Sequence, residues 1–238
     1  MLLGAESFRR LTESHVAVVG LGAVGGYALE ALARTGIGRL TMVDFDTVQP
    51  TNINRQIFAL DSTLGRKKVA AAADRIADIN PGCEVEPLEL FVDETSVEEI
   101  LSRRPDIVVD AIDSLNPKVQ LLRSSYLRGI PTFSSMGAAL RTDPLAIRVG
   151  DLSESTHCPL AKRIRKRLRR DNIVSGITCV YSTERVDFDY FQDIDPAQVE
   201  TGTERGRKRN TLGSLPTITA IFGLLLANEV IRTLCGTA

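Results

Sequence analysis

Short apolar runs alternate along the chain with longer segments of helical period. "SHVAVVG" (Ser14 to Gly20) is continuous and β-branched, the mark of a buried strand. In "AVGGYALEALARTG", Val24, Ala28, Ala31 and Leu32 share one helical face, and Gly36 is placed to stop the helix. "RLTMVDFD" reads as a second strand. In "GRKKVAAAADRIADINP", Val69, Ala72, Ala73, Ile76 and Ile79 point inward, and Asn80-Pro81 ends the helix. "CEVEPLELFV" is a third strand, a short helix spans Val97 to Leu101, and "DIVVDAID" is a fourth, apolar strand. "NPKVQLLRSSYLRG" is a helix with Pro117 in its first turn, and "IPTFSSMG" is a fifth strand. This alternation predicts an α/β fold: a doubly wound, mainly parallel sheet with helices on both faces.

Past Gly137 the pattern changes. "LAIRVGDLS" and "ITCVYSTERV" read as strands, antiparallel additions to the sheet, with the basic segment "AKRIRKRLRR" between them. From Asp187 to Arg209 the chain is polar and aperiodic, as in a long exposed loop. The run from Leu215 to Leu226 is apolar, but Asn228, Glu229 and Arg232 interrupt it short of a membrane span, so a buried core helix is expected and no stable membrane insertion. Residues 1–238 then form one domain, with halves at 1–137 and 138–238.

Composition narrows the class only a little. The net charge of −1 excludes global steering toward nucleic acid, so any such role must rest on local charge. Cys83, Cys158, Cys179 and Cys235 form no C-x-x-C pair, so no zinc is expected, nor a disulfide framework. "MLLGAESFRR" is too short and polar for a signal peptide, and a cytoplasmic setting is expected.

Gly20, Gly22 and Gly25 form G-x-G-x-x-G between the first strand and the first long helix, the setting of a Rossmann-like phosphate turn. Asp44 follows Gly25 by 19 residues, at the end of the next strand, where a carboxylate can accept both hydroxyls of a ribose. The same glycines could serve only helix–strand packing. An NAD enzyme would satisfy both features, but not the block after them. Asn52, Asn54, Arg55 and Gln56 crowd the carboxyl end of the sheet, and Lys68 opens the next helix. Two cations suit a triphosphate better than a pyrophosphate, although Lys68 by itself reads better as a solvated first-turn lysine beside Arg66 and Lys67. Asp113 ends "DAID"; it is either a Mg²⁺ ligand beside phosphates or the N-cap of the next helix.

"GLGAVGG", "DFDTVQPTNINRQ", "GRKK" and "DAIDS" together resemble the ubiquitin-activating-like, ThiF-type adenylating superfamily. The resemblance implies ATP as co-substrate and Mg²⁺ as metal. It implies nucleotide contacts from Gly20, Gly22, Gly25, Asp44, Asp46, Asn52, Arg55, Gln56 and Lys68, with Arg55, Lys68 and Asp113 catalytic and Asp113 on the metal. Members convert a carboxylate into an acyl-adenylate by positioning and electrostatics. A monovalent cation is left open.

Relatives that activate a ubiquitin-like sulfur carrier commonly hold two C-x-x-C pairs, which this chain lacks. "TNINRQIFAL", "CPLAKRIRKRLRR", "CVYSTE" and "GRKRNTLGSLPTITAIFGLLLANEVIR" resemble instead the tRNA threonylcarbamoyladenosine dehydratases. That resemblance implies adenylation of the modified nucleoside's carboxylate next to the anticodon, then attack by its own ureido group. It also implies a homodimer that buries apolar surface of the first helices, with 138–238 as the substrate and dimer half, and leaves room for a sulfur-transfer accessory protein. Activation of a sulfur carrier is the alternative.

Lys162, Arg163, Arg165, Lys166, Arg167, Arg169 and Arg170 place seven cations in nine positions, a candidate RNA contact. Such runs are also ordinary solvated faces, with Ile164 and Leu168 docking the other side. "ERGRKRN" (Glu204 to Asn210) is a second, weaker patch. Cys179 reads as a buried strand residue rather than a sulfur relay. One departure from the superfamily stands out: its members carry an N-terminal arginine that reaches the partner's nucleotide, and Arg9 and Arg10 do not match it.

Overall fold

Five consecutive buried positions make β1 (His15–Val19) an interior strand of the sheet. Its side chains alternate between two layers: Val16 and Val18 join one apolar cluster, Ala17 and Val19 another. The computed structural model describes residues 2–186 and 212–237. The expected loop from Asp187 to Arg209 and the patch from Glu204 to Asn210 lie outside them.

Around β1 stand β2 (Arg39–Val43), β3 (Glu84–Leu88), β4 (Ile107–Asp110), β5 (Thr132–Ser135), β6 (Ile147–Asp151) and β7 (Thr178–Ser182). The sheet order is β3-β2-β1-β4-β5-β7-β6. β7 joins β5 in parallel, so β6 against β7 is the antiparallel pair of this sheet. The single sheet runs through both halves of the chain. The chain leaves β1 toward β2 and β3, then returns to β4 on the other side. The carboxyl ends of β1 and β4 therefore flank the switch point, where open α/β sheets bind ligands. β3 stops at Leu88, earlier than its apolar run predicts, and its Pro87 is tolerated because the strand is an edge.

One face carries α1 (Gly4–Glu13), α2 (Gly25–Thr35), α3 (Lys68–Ile79) and α7 (Pro216–Cys235), which share a core cluster with β1 and β2. The other carries α4 (Glu94–Ser102) and α5 (Leu115–Leu127), with α6 (Pro159–Leu168) packed on α5. Gly36 caps α2 in the left-handed region, as its position predicts.

By length and composition α7 is apolar enough to cross a membrane. Ile218, Phe222, Leu226 and Val230 form its buried stripe. Each such side chain contributes about 1.5–3 kcal/mol when removed from water. A Cβ at Gly223 would stand 2.3 Å from Val24 O, so only glycine lets α7 lie this close to α2. Asn228 and Arg232 are exposed, and Arg232 pairs with Glu229 at 3.3 Å. The interrupting polar residues thus mark the helix's solvent side.

Candidate functional site

The glycine turn is built from the strand ends inward. Gly20 N donates to Val43 O at 2.8 Å and Ala111 N donates to Val19 O at 2.9 Å, so the turn lies between the tips of β2 and β4. Gly20 has φ +91°, and a Cβ there would meet Ala111 C and O at 2.9 Å. Gly25 opens α2, and its Cβ would stand 1.8 Å from Gly20 O. These two glycines serve backbone packing. Gly22 differs: the nearest atom to a Cβ there is Gln56 Nε2 at 3.8 Å. No steric demand of the protein explains Gly22, and the space beside its backbone is open to a ligand.

Asp44 follows β2 and is buried. Its Oδ2 accepts from Leu21 N at 2.7 Å and its Oδ1 from Asp46 N at 2.9 Å. The carboxylate is thereby locked beside the glycine turn, with lone pairs left on both oxygens. Burial pushes its pKa up, and the Lys68 ammonium opposes the shift. Residues 46–48 pair with 65–68: Val48 N donates to Arg66 O at 2.8 Å and Lys68 N to Asp46 O at 3.0 Å. This brings Lys68 Nζ to 2.9 Å from Asp46 Oδ2, with the lysine side chain 7% exposed. Lys68 is therefore a buried, paired cation rather than a solvated one.

Asn52 is buried; its Oδ1 accepts from Gln49 N at 3.1 Å and its carbonyl accepts from Arg55 N and Gln56 N. The asparagine shapes the loop from within. Ile57 and Phe58 anchor that loop on α2, where Gly26 leaves room for them. Arg55 is half-exposed, and its Nη1 donates to Thr51 O at 2.7 Å and Asn54 Oδ1 at 2.8 Å. Among the described residues, its guanidinium bonds only groups of its own loop.

β4 ends at Asp110, three residues before the aspartate expected at its tip. Asp113 stands exposed in the β4–α5 turn, next to the N-cap Ser114, whose hydroxyl donates to it at 3.4 Å. Among the described residues no group of three or more His, Cys, Asp and Glu could hold a metal ion. One carboxylate is nonetheless the usual protein share of a Mg²⁺ site completed by phosphates and water, so Asp113 fits.

The sequence reading missed Lys118, which is 0% exposed and 2.7 Å from Asp110 Oδ2. A signal existed: Lys118 stands in helical register with Leu121, Leu122 and Ser125, all buried on α5. An ionised side chain on a core face requires a buried partner.

The basic segment forms α6 and a short turn after it, with Ile164 and Leu168 buried as their spacing predicts. Lys162, Arg163, Lys166, Arg167, Arg169 and Arg170 are exposed. Arg165 is not part of that face. Its Nη1 donates to Ser155 O at 2.7 Å and to Ser155 Oγ, tying α6 to the end of β6. It is half-buried, with Nη1 engaged by the protein, and so differs from the six exposed cations beside it. The triple variant Lys166→Glu/Arg167→Glu/Arg170→Glu is expected to weaken RNA binding and to flatten its salt dependence by about one unit of slope for each phosphate no longer neutralised. Arg165→Ala is expected to lower the melting temperature and leave that slope unchanged, as filter binding across a salt series can read.

Arg9 pairs with Glu6 at 2.8 Å and Glu13 at 2.7 Å, and Arg10 with Glu6 at 3.2 Å, so both are engaged on α1's own surface. Cys179 is fully buried in β7, and burial pushes its thiol up to about 12. A thiol so protonated is no nucleophile. Native protein should leave Cys179 unalkylated by iodoacetamide, and Cys179→Ala should retain turnover; loss of turnover in a folded variant would restore a relay role.

The ThiF family profile matches residues 1–238. Over 184 residues the chain is 44% identical to the tRNA threonylcarbamoyladenosine dehydratase of Bacillus subtilis, covering 77% of this chain and 72% of that protein. Over 248 residues it is 36% identical to the tRNA threonylcarbamoyladenosine dehydratase of Escherichia coli, covering 100% of this chain and 92% of that one. The crystal structure of the Escherichia coli dehydratase in complex with ATP superposes with a TM-score of 0.86 at 34% identity, covering 99% of this chain and 91% of that chain. With its glycine turn, locked Asp44 carboxylate and buried lysine at one switch point, the chain belongs to the ThiF family.

Proposed function

We propose that the chain is an ATP-dependent tRNA-modifying enzyme that adenylates the carboxylate of threonylcarbamoyladenosine next to the anticodon and closes it into a ring. The observation that carries the nucleotide half of this reading is the Asp44–Gly22–Lys68 arrangement. A locked carboxylate, an uncovered backbone turn and a buried cation lie together at the switch point. The acceptor half is supported by the exposed cations of α6 and by full-length similarity to named dehydratases.

In this reading the substrate carboxylate, ionised at neutral pH, attacks the α-phosphorus. The bond from that phosphorus to the bridging oxygen breaks, and pyrophosphate leaves. The ureido group of the same nucleoside then attacks the acyl carbon and AMP departs, a net loss of one water. Asp44 holds the ribose and Gly22 admits the phosphates. Arg55 exchanges its bond to Asn54 for the charge that develops on the phosphate oxygens. Lys68, already charged against Asp46, offsets the triphosphate. Asp113 would hold Mg²⁺, which neutralises phosphate charge when bound. Cyclisation takes its nucleophile from the substrate, consistent with the inert Cys179. The enzyme acts as a homodimer, which light scattering tests.

The deciding experiment is ATP–pyrophosphate exchange with tRNA bearing threonylcarbamoyladenosine, unmodified tRNA, or a ubiquitin-like sulfur carrier. Exchange that needs the modified tRNA, with loss of one water mass at that nucleoside, supports the reading. Exchange with the carrier protein alone replaces it with sulfur-carrier activation.

A further inference from the structure

The β4–α5 turn carries Asp113 and walls one side of the glycine turn, since a Cβ at Gly20 would strike Ala111. What holds that turn in place is a buried ionic tether. Lys118 Nζ lies 2.7 Å from Asp110 Oδ2 and donates to Ile112 O at 2.9 Å. Asp110 accepts from Ser134 Oγ at 2.6 Å through Oδ2, and from Ile112 N at 3.1 Å through Oδ1. The side chains of Lys118 and Asp110 are both 0% exposed. Both backbone polar groups of Ile112 are therefore fixed by this pair, one residue before Asp113.

A buried ion pair is a poor choice for stability alone, because desolvation offsets most of the attraction. An apolar residue at 118 would suit the core face of α5 equally well. The ammonium does one thing an apolar side chain cannot: it reaches back from the second turn of α5 to hold a carbonyl at the strand tip. We propose that Lys118 is a positioning residue for the adenylation site. Through Ile112 it fixes the turn that presents Asp113 to the nucleotide's phosphates and metal. The inference rests on the nucleotide reading above, and supporting groups of this kind typically change metal affinity or activity by about 10- to 100-fold.

Lys118→Met leaves Asp110 buried and unpaired, so it is compared with Lys118→Met/Asp110→Asn, which removes the stranded charge. Three readouts apply: thermal melting, hydrogen exchange of residues 111–114 in metal-free protein, and calorimetric titration of ATP with and without Mg²⁺. The expected result is that the double variant regains most of the melting temperature lost by the single one. Exchange at 111–114 should stay fast in both, and the gain in ATP affinity conferred by Mg²⁺ should fall about 10-fold or more. Asp113→Asn should reduce the same Mg²⁺ gain without speeding exchange. If the double variant keeps both the slow exchange and the Mg²⁺ gain of the parent, Lys118 is only a core residue and the proposal fails while the nucleotide reading stands. A parent protein that binds no ATP overturns both.

Discussion

Gly25→Ala is expected to yield protein that does not fold at 25 °C, whereas Gly22→Ala folds normally and loses ATP affinity. The two positions look interchangeable in the motif. In the structure a methyl group at Gly25 would sit 1.8 Å from Gly20 O, and the obstacle is backbone that cannot rotate away. Overpacking against movable side chains already costs about 1–3 kcal/mol. Here α2 itself must shift, and α2 packs against α7 across the close approach at Gly223. Such a shift would consume much of the roughly 5–15 kcal/mol that keeps a domain folded. At Gly22 the added methyl meets nothing nearer than Gln56 Nε2 at 3.8 Å. It occupies the space a phosphate needs, so circular dichroism should be unchanged and calorimetric ATP binding much weaker. A Gly22→Ala variant with full ATP affinity would falsify the phosphate role of this turn.

Arg55→Ala is expected to lower adenylation about 100- to 1,000-fold, the usual loss when one donor to developing charge is removed. Stability should change by no more than about 0.5 kcal/mol, because the half-exposed side chain bonds only its own loop. Binding of the modified tRNA should persist, since its proposed contacts lie on α6. Arg55→Lys should recover little, because a lysine offers a point charge where the planar fork can bridge two oxygens. Single-turnover AMP release against tRNA binding separates these effects. Loss of tRNA binding together with turnover would move Arg55 from the chemistry to the acceptor site.

The sites that local pattern reveals are those where one stretch of chain carries the whole signal. The glycine spacing, Asp44 at the end of β2 and the Asn52–Gln56 block were legible this way, as were the strand–helix alternation and the core stripe of α7. Ile164 and Leu168 showed which side of the basic helix is buried. Within that helix the pattern could not tell Arg165 from its neighbours. Helical register places Arg165 at the edge of the docking side, but only the position of Ser155 decides that its Nη1 is bonded there.

Charge partners divide along the same line. Lys68 read alone as a solvated lysine, and it is buried because residues 46–48 return beside 65–68 and deliver Asp46. Lys118 is charged on a core face because β4 and β5 bring Asp110 and Ser134 to the same point. Periodicity and turn chemistry act over a few residues, so the sequence by itself determined the alternating strands and helices from Ser14 onward, their order and the glycine turn, but not the helix Gly4–Glu13. The energy of a buried charge depends on whichever groups surround it in space, so its partners were decided only when the strands came together.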